Sequence, residues 1–220
     1  MKHILTTILF LGVMLLAAGC SDSVLNENSA ETLSSEFATE AEKRAPAPGA
    51  QSIAEIVVAS ASNEAEPEFT LLLAAIQYIA ATNPESALIA GLFNKDQYTV
   101  FAPNDAAFLG LVGAVAGLLD ADVLAAEGPF AAIDVLLGAG TVEAVVSYHV
   151  VEGRRAANSV VPRVRDRNIQ TLLGVPFSVT SGGQINAVGS VANIVAANIS
   201  ASNGIVHVID TVLLPIDLGL

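Results

Sequence analysis

The spacing of apolar residues predicts helices in the first part of the chain. Between Pro67 and Pro84, apolar side chains recur at helical intervals, at Phe69, Leu72, Leu73, Ile76 and Ile79. Ser52 and Glu55 form a capping-box pattern ahead of an earlier helix. Two or three further Ala- and Leu-rich helices are predicted within residues 106–147. This part of the chain is therefore expected to form a helical layer.

From Tyr148 onward the pattern changes to short β-branched runs separated by turns. Gly182-Gly183 and Asn203-Gly204 each separate two such runs, and both pairs predict hairpin turns that need positive φ. Residues 205–209 are apolar on both faces, which is typical of a central strand covered on each side. Helices first and hairpins later predict an α+β fold.

Residues 98–108, YTVFAPNDAAF, predict a strand that leads directly into a helix. Pro103 has no N–H group and cannot continue a sheet ladder. Asn104 is suited to cap the next helix, and Asp105 in its first turn favours the positive end of the helix dipole. The segment is therefore expected to form a strand-to-helix corner.

Residues 1–20 have the pattern of an export signal. Lys2 and His3 precede an apolar run over residues 4–16, and small residues then lead to Cys20. The ending LLAAGC resembles a bacterial lipobox, in which the cysteine is lipidated and the chain is cut before it. A plain secretory signal with an incidental cysteine is the alternative. Ser21 after the cysteine implies the outer membrane, by resemblance to Gram-negative lipoproteins.

Composition and charge limit the classes of partner. Residues 21–50 are rich in Ser, Asn, Glu and Ala and predict a disordered tether, which leaves 51–220 for one domain. The formal net charge of −13 opposes binding to nucleic acid and, in general, to anionic membranes. Cys20 is the only cysteine, so neither a disulfide framework nor a cysteine metal site is expected.

Three segments resemble the signatures of fasciclin-like (FAS1) domains. They are TVFAPNDAAF (99–108), YHVVEG (148–153) and NGIVHVIDTVLLP (203–215), in family order. The resemblance implies a single domain built as a wedge of two β-sheets with a helical layer, and a role in adhesion or protein contact outside the cell. The motif residues it marks as structural are Thr99, Phe101, Pro103, Asn104, Asp105, Phe108, Tyr148, His149, Asn203, Gly204, His207 and Asp210.

The histidines and aromatic residues each allow two interpretations. His149 and His207 are both expected in apolar strands, where they are either buried structural groups or catalytic or metal partners of Asp105, Asp210 or Glu152. The aromatic side chains are interpreted as core, with a ligand cleft as the alternative: Tyr98, Phe101, Phe108 and Tyr148. No nucleophile elbow, P-loop or HExxH pattern occurs, so no catalytic residue, metal or cofactor is expected.

Five of the nine basic residues fall in one window: Arg154, Arg155, Arg163, Arg165 and Arg167. The last three alternate, so in an extended strand they would project from one face. One interpretation is a charged edge strand that prevents sheet-to-sheet aggregation. The other is a docking patch for phosphate or carboxylate groups on a glycan, lipid A or a partner protein.

Together these patterns predict an exported, lipid-anchored binding or adhesion module of the cell envelope that is not an enzyme. Its expected partner is an unidentified envelope or extracellular protein or glycan, with the membrane reached through the lipid on Cys20. Two alternatives stay open at this point. One is a carrier of an apolar pigment or lipid in the same fold, and the other is a cryptic periplasmic enzyme.

Overall fold

The computed structural model describes residues 48–93, 96–116 and 121–219. The predicted signal, Cys20 and most of the predicted tether lie outside these residues. Three helices come first: α1 (Ile53–Ala61), α2 (Thr70–Thr82) and α3 (Ala87–Phe93). The predicted capping box begins α1, because Ser52 Oγ accepts from the Glu55 N–H while the Glu55 carboxylate accepts from the Ser52 N–H.

The corner predicted at YTVFAPNDAAF is present. Strand β1 (Tyr98–Pro103) is followed directly by helix α4 (Asp105–Ala116). Asn104 lies between them, and its Oδ1 accepts from the Ala107 N–H at 2.9 Å. Proline thus ends the strand, and the asparagine satisfies one of the unpaired N–H groups at the start of the helix.

Two further helices complete the helical layer. Helix α5 (Ala121–Leu137) is broken at Gly128, which has a φ of 81° and immediately precedes Pro129. Helix α6 is Thr141–Tyr148. None of the described helices is by itself long and apolar enough to cross a bilayer. The segments Gly128–Leu137 and Thr141–Tyr148 meet that requirement only as a pair, by length and composition, with a bend of 101° between them.

The second half is mostly strand. Its elements are β2 (Val150–Glu152), α7 (Ala157–Val160), β3 (Arg167–Gln170), β4 (Pro176–Val179), β5 (Gln184–Asn186), β6 (Val191–Ala201) and β7 (Gly204–Ile209). The strands lie in the order β2-β1-β7-β6-β5-β4-β3. Only β1 and β7 are parallel, and every other neighbouring pair is antiparallel.

Strand β6 joins two sheets. Its first residues, 191–193, pair with β5, whereas residues 194–201 pair with β7 across two register shifts. One sheet therefore contains β2, β1, β7 and β6, and the other contains β6, β5, β4 and β3. Helices followed by a mixed sheet confirm the predicted α+β fold.

Strand β7 is central and all six of its residues are buried, as its apolar pattern predicts. Val206 and Val208 belong to a core cluster shared with the helices. Ile209 belongs to a second cluster with Phe101 and Tyr148, formed mainly by side chains of the strands. The strand is thus covered by a different apolar layer on each face, which explains why it carries no polar alternation.

The two predicted hairpin turns have different physical origins. Gly183 has a φ of 82°, so positive φ is required there. At Asn203-Gly204 the prediction of positive φ is wrong, because neither residue is in the left-handed region. Glycine is needed at 204 for space instead: a Cβ there would lie 2.0 Å from the Tyr98 carbonyl oxygen.

Candidate functional site

The motif residues lie along the parallel pair β1 and β7, at both ends of these strands and in the helices beside them. Asp105 starts α4 but its carboxylate reaches the N-terminus of α2. Oδ2 accepts from the Thr70 N–H and hydroxyl at 3.2 and 2.7 Å, and Oδ1 accepts from the Leu71 N–H at 2.9 Å. The aspartate thus caps a helix that precedes it by 35 residues.

Helix α2 needs this distant cap because it lacks a cap of its own. Its N-cap residue is Phe69, in the left-handed region with a φ of 64°, and its side chain makes no capping hydrogen bond. The expectation that Asp105 serves the dipole of its own helix therefore missed its main contacts. The apolar residue at the start of α2 was the available signal, since such a helix end requires a donor or acceptor from elsewhere.

The sequence pattern predicted His149 in a strand, which is wrong. The residue lies at the C-terminal cap of α6. Its Nδ1 lies 2.7 Å from the Val145 carbonyl oxygen, and its Nε2 accepts from the Leu213 N–H at 2.9 Å. Nδ1 therefore carries the proton and donates to Val145. The buried ring joins the end of α6 to the segment that follows β7.

The surroundings of His149 keep the ring neutral. Burial lowers its pKa to about 4, against the opposing effect of the hydrogen bond to Val145. Both ring nitrogens are already engaged with backbone groups. A ring in this state has no free nitrogen with which to take a substrate proton or bind a metal ion.

His207 lies in β7 and supports an irregular part of β6. Its Nδ1 accepts from the Asn198 N–H at 3.3 Å, and its Nε2 lies 3.0 Å from the Arg155 carbonyl oxygen, to which it donates. Asn198 has a φ of 64° within a region of shifted β6 register. Burial lowers the pKa of His207, and the ring satisfies a backbone N–H that the irregular ladder leaves unpaired.

Thr99 and Asn198 extend this polar network onto the segment after β2. The Thr99 hydroxyl donates to the Gly153 carbonyl at 2.7 Å and accepts from the Arg155 N–H at 2.8 Å. Asn198 Oδ1 accepts from the Ala157 N–H at 2.9 Å. Residues 153–157 are therefore held against three strands. Sequence reasoning missed Asn198, because nothing in its local pattern distinguishes it.

Asn203 and Asp210 hold the two ends of β7. Asn203 Oδ1 accepts from the Ile53 N–H at 2.8 Å, and its Nδ2 donates to the Leu92 carbonyl at 2.9 Å. Asp210 accepts from the backbone and side-chain N–H groups of Asn193 at 2.7 and 3.0 Å. Partial burial acts to raise the pKa of Asp210, but its hydrogen bonds outweigh this and leave the pKa below its ordinary value. The carboxylates of Asp105 and Asp210 therefore both accept hydrogen bonds from backbone N–H groups of the domain.

The motif aromatic residues pack in the core. Phe101 and Tyr148 are fully buried, and each contacts Phe177 edge-on, with ring centroids 5.1 and 6.0 Å apart. Phe108 lines an apolar cavity between α4, α5 and α6 with about 40 Å³ of free space. For comparison, an engineered apolar cavity that binds benzene has a volume of about 150 Å³. This arrangement is that of a packed interior.

The five arginines separate into two groups. Arg154 is half-buried and donates to the Ala201 and Gly204 carbonyls and the Ser200 hydroxyl, and burial lowers its pKa. Arg155 Nε donates to the Glu152 carbonyl. The other three are exposed: Arg163, Arg165 and Arg167.

The prediction that these three arginines alternate along an extended strand is wrong. Only Arg167 lies in a strand, at the start of the edge strand β3, and its guanidinium donates to the Ser159 carbonyl. Arg163 and Arg165 lie in the bends that precede β3. Pro162, which precedes them, has no N–H group to donate to a sheet ladder. Within the described ranges, no group of three or more His, Cys, Asp or Glu residues could hold a metal ion.

The comparisons with known proteins agree with this geometry. The family model of the fasciclin domain matches residues 68–215, which include all three motif segments. The chain belongs to the fasciclin family. Immunogenic protein MPB70 of Mycobacterium bovis is 35% identical over 160 residues, which is 72% of this chain and 68% of that protein.

Two further matches cover parts of the chain. Cell surface glycolipoprotein MPB83 of Mycobacterium bovis is 30% identical over 159 residues, 72% of this chain and 60% of that protein. A solved FAS1 domain pair from the insect cell adhesion molecule Fasciclin I aligns with 15% identity and a TM-score of 0.42. That alignment covers 64% of this chain and 44% of the insect chain.

Proposed function

We propose that this fasciclin-domain protein is exported, attached to the cell envelope through lipid on Cys20, and works by binding a protein or glycan without catalysis. Export and attachment rest on the signal and lipobox patterns of residues 1–20. A surface role is supported by the name of the similar protein MPB83, a cell surface glycolipoprotein.

One observation carries the non-catalytic part of the proposal. Each ionisable motif side chain makes hydrogen bonds to backbone groups of the domain itself. His149 and His207 use both ring nitrogens in this way, and Asp105 accepts from the backbone of α2. General acid–base catalysis needs a side chain that can reach a substrate proton. These groups instead connect β1 and β7 with the neighbouring helices and loops. The outer surface of the domain is then left for binding.

A crosslinking experiment in the native envelope tests the proposal. The chain is expressed with photoreactive residues at exposed positions on separate faces, such as Ala81, Val164 and Val195. We expect adducts of defined mass from one face only, which an excess of unlabelled chain suppresses. Adducts from every face in equal yield, unaffected by competition, would show random proximity and contradict a binding role.

A parallel measurement separates binding from catalysis. The His149→Gln and His207→Gln variants are compared with the unaltered chain for envelope binding under conditions in which all three are folded. We expect equal binding, because both rings are buried. A substrate turnover that either substitution abolishes in a folded protein would instead support the enzyme alternative.

A further inference from the structure

The exposed arginines form a small cationic surface on an otherwise acidic protein. The five arginines at 154–167 are the only Lys or Arg residues in the described part of the chain, whose whole sequence carries a net charge of −13. Arg154 and Arg155 make hydrogen bonds within the fold. Residues 163–167, which we call the arginine loop, are all exposed and carry three arginines and Asp166, a formal net charge of +2. Arg167 also donates to the Ser159 carbonyl, so Arg163 and Arg165 present the positive charge that is most available to a partner.

The tip of this loop is apolar. Val164 lies between Arg163 and Arg165 and is 86% exposed, the largest value among the exposed large hydrophobic residues of the described chain. Arg163 and Arg165 flank it in the same bends. A protective charged edge strand does not need such a side chain at its tip, and only Arg167 of the three arginines lies in the edge strand.

We propose that the arginine loop contacts the surface of a bilayer that contains anionic lipids, with its guanidinium groups on lipid phosphates and Val164 in the interfacial layer. The contact sets the orientation of the domain on the membrane. Guanidinium groups suit phosphate because they donate in a planar fork. The inference rests on the proposed lipid attachment, which keeps the domain near the bilayer.

The contact is strong enough to orient the attached domain on the membrane but too weak to bring a free protein to it. Each net positive charge near an anionic membrane strengthens binding by about fivefold, so the loop's net charge of +2 gives roughly twenty-five-fold. For a free acidic protein this is too weak to hold it at the membrane. A tethered domain already has a high effective concentration at the surface, so a preference of roughly twenty-five-fold is enough to select one orientation.

The acidic remainder of the domain strengthens this selection. An anionic surface repels a protein of net negative charge except where a local cationic region faces it. The loop also offers its arginines from bends and one strand end, without the regular spacing that would match a partner strand. A bilayer surface, with many phosphates and no fixed pattern, matches this irregular arrangement.

A site-specific probe tests the contact in the full lipidated chain. Cys20 is the only cysteine and carries the lipid under the proposal, so Val164→Cys introduces one reactive thiol for an environment-sensitive fluorophore. Ala81→Cys, at an exposed position of α2, serves as the labelled control. Each protein is reconstituted into vesicles of phosphatidylcholine alone or with about 30% phosphatidylglycerol, and quenching by lipids with brominated acyl chains is measured.

A matched pair of charge variants separates the loop from net charge. Arg163→Gln, Arg165→Gln and Arg167→Gln together remove three positive charges. Ala65→Glu, Ala125→Glu and Ala139→Glu together change the net charge by the same amount at exposed positions elsewhere. Both sets are made in the Val164→Cys chain, and circular dichroism checks that each variant is folded.

We expect quenching at position 164 to be at least threefold stronger in the anionic vesicles, and unchanged at position 81. The arginine-to-glutamine set and about 0.5 M salt should each abolish the difference, whereas the alanine-to-glutamate set should retain it. Protein that floats with vesicles but shows no lipid-dependent quenching at 164 would overturn the loop contact alone. Equal quenching in both vesicle types would overturn phosphate recognition.

The attachment has its own readout in the same samples. Protein that fails to float with either type of vesicle would contradict lipid attachment, and the orienting role of the loop with it. If the loop instead serves a protein partner, the label at 164 will respond to envelope protein in neutral vesicles and not to phosphatidylglycerol. That result would also overturn the membrane contact.

Discussion

Acidification should destabilise this domain through His149. In the folded protein the ring is neutral, donates from Nδ1 to Val145 and accepts at Nε2 from the Leu213 N–H 2.9 Å away. A second proton would place an N–H on Nε2, facing another N–H, and would bury a positive charge. The folded state therefore resists protonation, and the unfolded chain does not.

The size of the effect follows from the difference between the two pKa values. The folded pKa of His149 is about 4 and its ordinary value is 6.5. At about 1.4 kcal/mol per pKa unit, the difference corresponds to about 3 kcal/mol of unfolding free energy. As the pH falls below 6.5 the unfolded chain takes up the proton first. The stabilisation is therefore complete above pH 6.5 and is lost progressively towards pH 4.

Urea unfolding of the original chain and of His149→Gln, from pH 7.5 to 4, measures this contribution. The variant should be less stable by roughly 1–3 kcal/mol at pH 7.5, because Val145 and Leu213 lose well-placed partners. By pH 4 the original chain should lose about 3 kcal/mol more stability than the variant, so the gap should close or reverse its sign. Carboxyl groups titrate in both proteins, so their effects cancel in the difference.

A gap that stays constant across the pH range would refute this account. So would a nuclear magnetic resonance titration in which the His149 ring protons shift with a midpoint near 6.5, because that value would mean that the folded protein accepts the proton freely. His207→Gln is a useful comparison, since burial also lowers the pKa of that ring and the stability difference should shift in the same direction as the pH falls.

Three further substitutions test other parts of the argument. Cys20→Ser should move the protein from membrane pellets to soluble fractions, and a variant that still pellets and resists high salt would exclude the lipid anchor. Asp105→Ala should lower the unfolding free energy by about 2 kcal/mol in urea titrations, because α2 loses its cap; an unchanged midpoint would contradict the capping role. Gly204→Ala should cost more than about 3 kcal/mol, since the new Cβ meets the Tyr98 carbonyl at 2.0 Å. Gly113→Ala, where a Cβ meets nothing within 4 Å, should instead leave stability equal or higher, and equal losses in both would refute the steric argument.

Features that depend on neighbouring residues were predictable from the sequence. The capping box at Ser52 and the corner at Pro103 and Asn104 form as expected, because each requires groups no more than a few residues apart. The apolar pattern of residues 205–209 also predicted a central strand, because burial on both faces leaves no place for polar alternation. The three motif segments in family order were likewise sufficient to indicate the fasciclin fold.

Features that depend on distant residues were decided only by the tertiary structure. Asp105 caps a helix 35 residues earlier, and Asn203 bonds to the Ile53 N–H across 150 residues. His149 lies at a helix end, where its ring accepts from the Leu213 N–H, 64 residues away. Local periodicity records whether a position is buried but not which backbone group an enclosed polar atom will meet. The partner of each buried polar atom depends on how the helices pack against the two sheets. The same packing decides which arginines bond within the fold and which face outward.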